Sequence, residues 1–262
     1  MLLLTCAAAR AGDFATEMLE STFKLFHPDS TGTCVLVRRE AADPALYVVT
    51  AAHVLENTHG DTAIVVLREQ AEDGSFKRHD HTVPIRRDGK PLWVRHETED
   101  VAVLRLDEVP PVPANALPLE AIADEAAVGA AELHICSPVY VLTYPQRFEG
   151  NNAGFPVARR GMIASHPILP VKRHPTFYAD YTTFAGDSGG PVFISDAEGR
   201  PLVIGIVLAQ MRHDETVKME YEERMIHHPL GLGTVLHSQF VRDTIERAAQ
   251  RENEEPGSPG GS

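Results

Sequence analysis

The chain has 262 residues, 43% of them hydrophobic, which is enough for two small domains that share an interface. Its formal net charge of -13, from 37 acidic against 24 basic residues, is unlike that of a phosphate-binding surface and excludes nucleic acid as a partner. No apolar run approaches the roughly 20 residues that a membrane-spanning helix needs.

The amino-terminal segment 1–26 begins with an apolar stretch and the small-x-small sequence Ala9 to Ala11, which is typical of a signal-peptidase site. This pattern predicts export to the periplasm or the exterior. A cytoplasmic location is the alternative, because no basic residue precedes the apolar run. Cys6, Cys34 and Cys136 are too few, and odd in number, for a disulfide framework, so the hydrophobic core must hold the fold together.

Short runs rich in β-branched residues, separated by turn residues, predict that the chain is all-β. Six strands are predicted in the first half: Thr33 to Arg38, Leu46 to Thr50, Ala63 to Arg68, His81 to Arg86, Leu92 to Arg95 and Val101 to Leu106.

The stretch from Val109 to Glu125 carries four prolines and ends in an alanine-rich acidic segment, which indicates a linker between two halves. We place the boundary near Leu117. Seven strands are predicted after it: Glu132 to Cys136, Val139 to Tyr144, Val157 to Ala164, Thr176 to Tyr181, Pro191 to Ile194, Leu202 to Leu208 and Gly233 to Leu236.

The stretch Gln239 to Gln250 has one apolar stripe at helical spacing and is predicted to be a docked helix with Ser238 as its N-cap. The acidic, Gly/Pro/Ser-rich segment 251–262 is predicted to be a disordered tail. The expected fold is therefore all-β, with two six-stranded antiparallel β-barrels, 27–117 and 118–250, and a C-terminal α-helix in the second unit.

The strongest chemical signal is the hexapeptide Gly186 to Pro191, with the sequence Gly-Asp-Ser-Gly-Gly-Pro. Glycines allow a tight turn on which Ser188 is exposed, and the N–H groups of Gly186 and Ser188 can then converge as an oxyanion hole. A serine hydroxyl is a poor nucleophile without a base, so this interpretation requires a histidine elsewhere in the chain.

Two further segments supply the missing groups. His53 follows an apolar strand and two small alanines, so its ring can face a cleft at a strand end. Asp100 opens the apolar run Val101 to Leu106, where a carboxylate buried beside an imidazole would fix its neutral tautomer and stabilise the imidazolium. Singly, each of these residues is more often structural than catalytic.

Together, the three segments resemble the chymotrypsin-like serine peptidases, in which histidine, aspartate and serine follow one another in this order. Gly32 to Leu36 and Gly205 to Val207 are similar to other strands of that family. The resemblance implies a triad of His53, Asp100 and Ser188 in the cleft between two barrels, no cofactor, and protein or peptide substrates.

The match is nearer to the bacterial trypsin-like peptidases than to the disulfide-bonded animal enzymes. Val54 stands where the animal enzymes have cysteine, and no Ile-Val-Gly-Gly activation sequence is present. A new amino terminus pairing with Asp187 is therefore not expected, and we predict a constitutively assembled site or activation by some other route.

The resemblance also places Thr182 at the base of the primary specificity pocket, with Leu208, Ala209 and Gln210 along one wall. Since no carboxylate occupies that base, a medium apolar or polar side chain is favoured over Lys or Arg. The oligomeric state and the natural substrate are left open.

Three other readings compete with a peptidase. A non-catalytic relative that uses the barrels only for binding is the main alternative, although such a protein usually lacks part of the triad. An α/β-hydrolase elbow would need a helix after Ser188, whereas Pro191 to Ile194 predicts a strand. A metal site at His79 to His81 or at His227-His228 lacks ligand spacing, and solvated loop histidines are favoured, so no metal is expected.

Overall fold

The computed structural model describes residues 14–40, 45–106, 108–219 and 222–254. The predicted signal segment, including Cys6 and Ala9 to Ala11, lies outside these ranges, as does the tail from residue 255 onward. None of the described helices is long and apolar enough to cross a membrane.

Antiparallel strands dominate the described chain, because alternating β-branched residues repeatedly present one apolar face. The first half contains these elements: α1 (Phe14–Ser21), β1 (Thr22–Phe26), β2 (Thr31–Arg38), β3 (Leu46–Thr50), α2 (Ala52–Glu56), β4 (Thr62–Gln70), β5 (Phe76–Pro84), β6 (Arg86–Arg87), β7 (Lys90–Pro91), β8 (Val94–Arg95), β9 (Ala102–Leu106) and β10 (Leu117–Pro118). The second half contains α3 (Glu125–Ala130), β11 (Pro138–Thr143), β12 (Val157–Ile163), β13 (Thr176–Asp180), β14 (Pro191–Ser195), β15 (Pro201–Met219), β16 (Glu222–His237) and α4 (Ser238–Glu254), with short 3-10 helices at Leu119–Ala121 and Pro145–Arg147.

The first half forms one eight-stranded, largely barrel-like sheet. Its strands follow the order β5-β4-β1-β2-β3-β9-β8, and β10 adds to β2 as a parallel neighbour. The interior is apolar and includes Leu36, Val48, Val65 and Trp93. The end of β3 lies beside the start of β9, where Thr50 is paired with Ala102. The loop after β3 and the loop before β9 are therefore at the same edge of the sheet.

The second half forms a closed six-stranded antiparallel barrel in the order β11-β12-β13-β16-β15-β14. Val141, Ile163, Phe177 and Val235 are among the side chains that fill it. The predicted all-β double barrel with a C-terminal helix is confirmed. The six strands predicted for the first unit are wrong in number, because β1 and the parallel β10 join them to make eight.

A third apolar cluster joins the two sheets and explains why α4 is docked. It contains Tyr47 from the first sheet, Phe193 and Ile206 from the second, and Val241 and Ile245 from α4. All five side chains are buried. The two sheets and the helix therefore share one core, which fixes the cleft between the sheets.

Three local predictions differ from the structure. Glu132 to Cys136 is not a strand but a chain of turns, because Glu132 and Cys136 have positive φ angles of 49° and 71°. Ser238 is the first residue of α4 rather than a cap, and its hydroxyl donates to the carbonyl of Ala123 at 2.6 Å. His53 is not at the end of a strand but is the second residue of α2, three residues beyond the end of β3.

Candidate active site

His53 and Asp100 form a doubly hydrogen-bonded pair at the edge of the first sheet. The Nδ1 atom of His53 lies 2.6 Å from Oδ2 of Asp100, and the main-chain N–H of His53 donates to Oδ1 at 2.9 Å. The pair is possible because α2 begins directly after β3 and Asp100 stands just before β9, the neighbour of β3. The carboxylate thus fixes both the backbone and the ring of the histidine.

The pKa of Asp100 is lowered from its ordinary value of 3.8. Burial alone would raise the pKa of this carboxyl, but the hydrogen bonds and the positive charge of His53 outweigh burial. Asp100 therefore stays ionised and can stabilise an imidazolium beside it.

Ser188 lies on a glycine turn of the second barrel. Gly186 and Gly189 flank it with φ angles of 96° and 83°, which side chains rarely allow. A Cβ on Gly186 would also collide with the carbonyl oxygen of Tyr144. The glycines are thus needed both for the backbone angles and for the space around the turn.

Two contacts press this turn against the part of the first sheet that carries His53. The N–H of Thr33 donates to the carbonyl of Ser188 at 2.9 Å. A Cβ on Gly32 would lie 2.7 Å from Cγ2 of Val54 and 3.0 Å from the carbonyl oxygen of Ser188. One glycine therefore separates the serine from the residue that follows His53.

The Ser188 hydroxyl points along β15 in this structure. It donates to the carbonyl of Leu208 at 3.1 Å, so it is not hydrogen-bonded to the imidazole of His53. A turn about the Cα–Cβ bond would redirect it.

The main-chain amides of the turn are free to bind an oxygen. Within the described residues, the N–H groups of Gly186 and Ser188 have no hydrogen-bond acceptor, whereas those of Asp187, Gly189 and Gly190 all donate to carbonyls. Two unpaired amides on one turn leave two donors available for an external acceptor.

Asp187 stands between those two amides and is completely buried. Its Oδ2 lies 2.6 Å from a guanidinium nitrogen of Arg159 and accepts the N–H of Phe184 at 2.7 Å. Arg159 extends from β12 and also donates to the carbonyl of Thr182 at 2.6 Å. One arginine therefore holds both the glycine turn and the segment that leads into it.

The predicted pocket residues lie close to this turn. The side chain of Thr182 is exposed, and its carbonyl is bound by Arg159, whereas the neighbouring Thr183 is buried. Gln210 reaches across to donate to the carbonyl of Thr183 at 2.6 Å. A Cβ on Gly233 would lie 2.6 Å from Oγ1 of Thr183, so this glycine keeps the space beside it open.

The histidines of the His227-His228 pair each bind an acid instead of converging on a common point. His227 lies 2.6 Å from Asp214, and His228 lies 2.9 Å from Glu215. Across the described ranges, no group of three or more His, Cys, Asp or Glu side chains is close enough to hold a metal ion.

Sequence reasoning missed Arg159, Thr183 and Gly233. The pair Arg159-Arg160 suggests a solvated strand edge, and that interpretation is wrong for Arg159, whose side chain is only 19% exposed. The available signal was the alternation along β12, which turns Arg159 inward and Arg160 outward.

Comparison with known proteins identifies a family. A family model described as trypsin-like peptidase domain matches residues 32–206. Among solved structures, the chain is similar to a serine-to-alanine mutant of Rv3671c from M. tuberculosis H37Rv in an inactive form, with 21% identity, 90% of each chain covered and a TM-score of 0.47. It is also similar to the Rv3671c protease in an inactive form, with 22% identity, 90% of this chain and 92% of that chain covered, and a TM-score of 0.46. No curated relative matches the chain. Because the family model spans well over half of the sequence, the chain belongs to the trypsin-like peptidase domain family.

Proposed function

We propose that this protein is a serine endopeptidase in which Ser188 is the nucleophile, His53 the general base and Asp100 the residue that orients the base. The observation that carries the proposal is the His53–Asp100 pair, held at 2.6 Å, with Gly32 alone between Val54, the residue after His53, and the carbonyl of Ser188. Membership of a peptidase family supports protein substrates.

The chemistry follows from the atoms available. Nε2 of His53 takes the hydroxyl proton as the Ser188 oxygen attacks the peptide carbonyl, and the N–H groups of Gly186 and Ser188 donate to the resulting oxyanion. The C–N bond then breaks, and the imidazolium gives its proton to the leaving amine. Water attacks the acyl-enzyme, with His53 again taking a proton, and the carboxylic acid leaves as Ser188 regains its hydrogen.

The alternative is a binding protein without catalysis, and the hydrogen bond from Ser188 to Leu208 is the observation that favours it. In a peptidase, this bond must break so that the hydroxyl can face His53. A hydrogen bond between neutral groups contributes only about 1 kcal/mol, so rotation of the side chain is energetically modest. Reaction with a fluorophosphonate distinguishes the two, since only an activated serine reacts.

The pocket supports a preference for a medium apolar or polar side chain before the scissile bond. Gln210 donates to the carbonyl of Thr183, and the side chains of Thr183 and Tyr181 pack against Gly233. Within the described surroundings of this pocket, the nearest buried carboxylate is Asp187, which is already paired with Arg159. A cationic side chain would therefore gain no ion pair there.

Cleavage of casein tests the proposal. Ser188→Ala should lose nearly all turnover while keeping the thermal midpoint of the native protein. Ser195→Ala, at the exposed end of β14, is the matched control and should retain full turnover. Unchanged casein cleavage by Ser188→Ala would refute the proposed nucleophile.

A further inference from the structure

The sheet of the first half does not close into a complete barrel. Its strand order ends at β5 on one side and at β8 on the other, whereas the six strands of the second half form a closed ring. Strand β8 pairs with β9 only at Val94↔Val103 and Arg95↔Ala102. Within the described chain, residues 104–106 of β9 therefore have β3 as their only strand neighbour, and β5 has only β4.

A cavity of about 520 Å³ occupies this opening. Strands β5, β8 and β9 form its sides, and α4 lies across it through Ala248 and Arg251. Among the described residues that line it, none belongs to the candidate triad. Its volume falls within the range of about 300 to 1,000 Å³ that is typical of sites for small ligands. The opening in the sheet is thus a second concave site, separate from the candidate active site.

The inner wall of the cavity is apolar. It is formed by Val83, Val103 and Leu106, whose exposed fractions are 1%, 0% and 8%. The partly buried side chains of Leu92 and Val94 continue this wall toward the surface. A hydrocarbon chain needs no hydrogen-bond partner, so it can lie against such a wall without leaving a polar group unsatisfied.

The mouth of the cavity is cationic. Arg87 from β6 and Arg251 from α4 line it with exposed side chains, and Arg105 from β9 also contributes to the lining. Glu108 is the only acidic residue among the lining residues that the structure describes. The whole chain has the opposite balance, with 37 acidic against 24 basic residues. Positive charge is therefore concentrated at this mouth on an otherwise acidic protein.

The two arginines of the mouth are available to a ligand. Neither Arg87 nor Arg251 forms an ion pair with a described acidic residue. By contrast, Arg95 and Arg247 on the adjoining surface are engaged in ion pairs at 2.9 and 2.6 Å. A guanidinium group binds a carboxylate through two parallel hydrogen bonds. The mouth thus suits an anionic head group, and the inner wall suits an apolar body attached to it.

We propose that this cavity binds a free single-chain carboxylate of the fatty-acid class. The hydrocarbon chain lies against the inner wall, and the carboxylate is bound by Arg87 and Arg251 at the mouth. The inference goes beyond the proposed peptidase function and does not depend on it, because the triad residues take no part in the site.

Trp93 provides a readout of binding that needs no turnover. It is the single tryptophan of the chain, is 7% exposed, and stands between Leu92 and Val94, which both line the cavity. Its fluorescence is followed while the full chain is titrated with octanoate, decanoate or dodecanoate below their micelle concentrations. Binding should saturate at one ligand per chain and tighten by up to about fourfold for each added methylene, as burial of that group implies.

Two ligands with the same chain length test the role of charge. Decanol keeps the hydrocarbon chain without the carboxylate, and decyltrimethylammonium reverses the charge of the head group. Since hydrogen bonds to charged groups are stronger than those between neutral groups, decanol should bind at least about tenfold more weakly than decanoate. Decyltrimethylammonium should not bind.

Variants of the mouth identify the residues responsible. Arg87→Gln and Arg251→Gln change exposed side chains, and each should weaken decanoate binding about five- to tenfold while leaving decanol binding unchanged. Arg200→Gln is the matched control, because Arg200 is also exposed but is paired with Asp196 at 2.8 Å in the turn between β14 and β15. This control should bind decanoate with native affinity.

Three results would overturn the proposal: no saturable binding of decanoate, equal affinities for decanoate and decanol, or native decanoate affinity when both arginines of the mouth are replaced. Vesicles of phosphatidylglycerol distinguish a lipid surface from a free carboxylate, and sedimentation with vesicles without binding of monomeric decanoate would also contradict it. Casein cleavage is measured on the same protein. Decanoate binding without cleavage would contradict the peptidase function alone, and cleavage without decanoate binding would contradict this inference alone.

Discussion

Replacing Arg159 with methionine tests how the glycine turn is held. Asp187 is completely buried between the amides of Gly186 and Ser188, and its pairing with Arg159 at 2.6 Å supplies the only positive charge that the described residues bring to it. Removing one member of a buried ion pair leaves an uncompensated charge and costs about 3 to 5 kcal/mol. We expect a loss of unfolding free energy in that range for Arg159→Met.

The same substitution should reduce catalysis. Without Arg159, the turn loses its anchor and the carbonyl of Thr182 loses its donor, so both amides shift from their positions. Since removing one oxyanion donor lowers kcat by about 10²- to 10³-fold, we expect a decrease of at least about 100-fold in kcat.

The assay combines urea unfolding followed by circular dichroism with titration of the reactive serine and single-turnover kinetics. Arg160→Met is the matched control, because Arg160 is exposed and lies over the ring of Tyr140 at 5.9 Å from its centroid. Its stability should stay within about 0.5 kcal/mol of the native value. Native stability and kcat in Arg159→Met would refute the account of the turn.

Three further predictions concern titratable and reactive side chains. Asp100→Asn should lower kcat by about 10⁴-fold in steady-state assays, because an amide at this position fixes the wrong tautomer of His53. A loss of less than tenfold in kcat would contradict the orienting role of Asp100. Burial lowers the pKa of His237 from 6.5 to about 4, so the unfolded chain binds the proton more readily than the folded protein between these pH values. About 3 kcal/mol of stability should therefore be lost as the pH falls from 6.5 to 4, which urea unfolding across this range can measure. His237→Gln is the control, and an unchanged pH dependence of stability in that variant would contradict the prediction. Burial raises the pKa of the Cys34 thiol to about 12, whereas Cys136 is exposed. A maleimide should therefore label Cys136 in the native protein and Cys34 only on unfolding, as peptide mapping would show. Rapid labelling of Cys34 in the native protein would contradict its burial.

Much of the fold could be predicted from the sequence, because the β-branched runs are long and clearly bounded. Strands such as Leu46 to Thr50 coincide with the observed element, since both faces of β3 are buried and leave no ambiguity of register. The Glu132 to Cys136 prediction failed because the alternation of Leu133 and Ile135 with polar residues resembles a strand even where two residues adopt left-handed angles. Single-sequence patterns do not reveal such angles at non-glycine positions.

The sequence analysis also missed the long exposed ends of β15 and β16, and the reason for this is different. The segments Met211 to Met219 and Glu222 to Leu230 are exposed and mostly polar, so they lack the alternation that marks a half-buried strand. The two segments pair only with each other and are held by charge pairs between the strands, such as Asp214 with His227. A hydrophobic pattern does not reveal such pairs.

The candidate site was predictable where local chemistry was distinctive. Ser188 stands in a glycine-rich turn, and His53 and Asp100 border apolar strands, so each could be singled out from its own neighbours. The role of Arg159 could not be predicted in this way, because it depends on the carboxylate of Asp187, which lies 28 positions further along the sequence and outside β12. The alternation along β12 gives the inward orientation of Arg159, but only the folded barrel shows which carboxylate it meets there.

The most direct test of the central claim is covalent labelling by a fluorophosphonate, read by mass spectrometry of the intact protein and of its peptides. The account predicts one adduct per chain on Ser188, which is absent in Ser188→Ala and much slower in His53→Ala, while Ser195→Ala labels at the native rate. A native, folded protein that acquires no adduct on Ser188 would contradict the account.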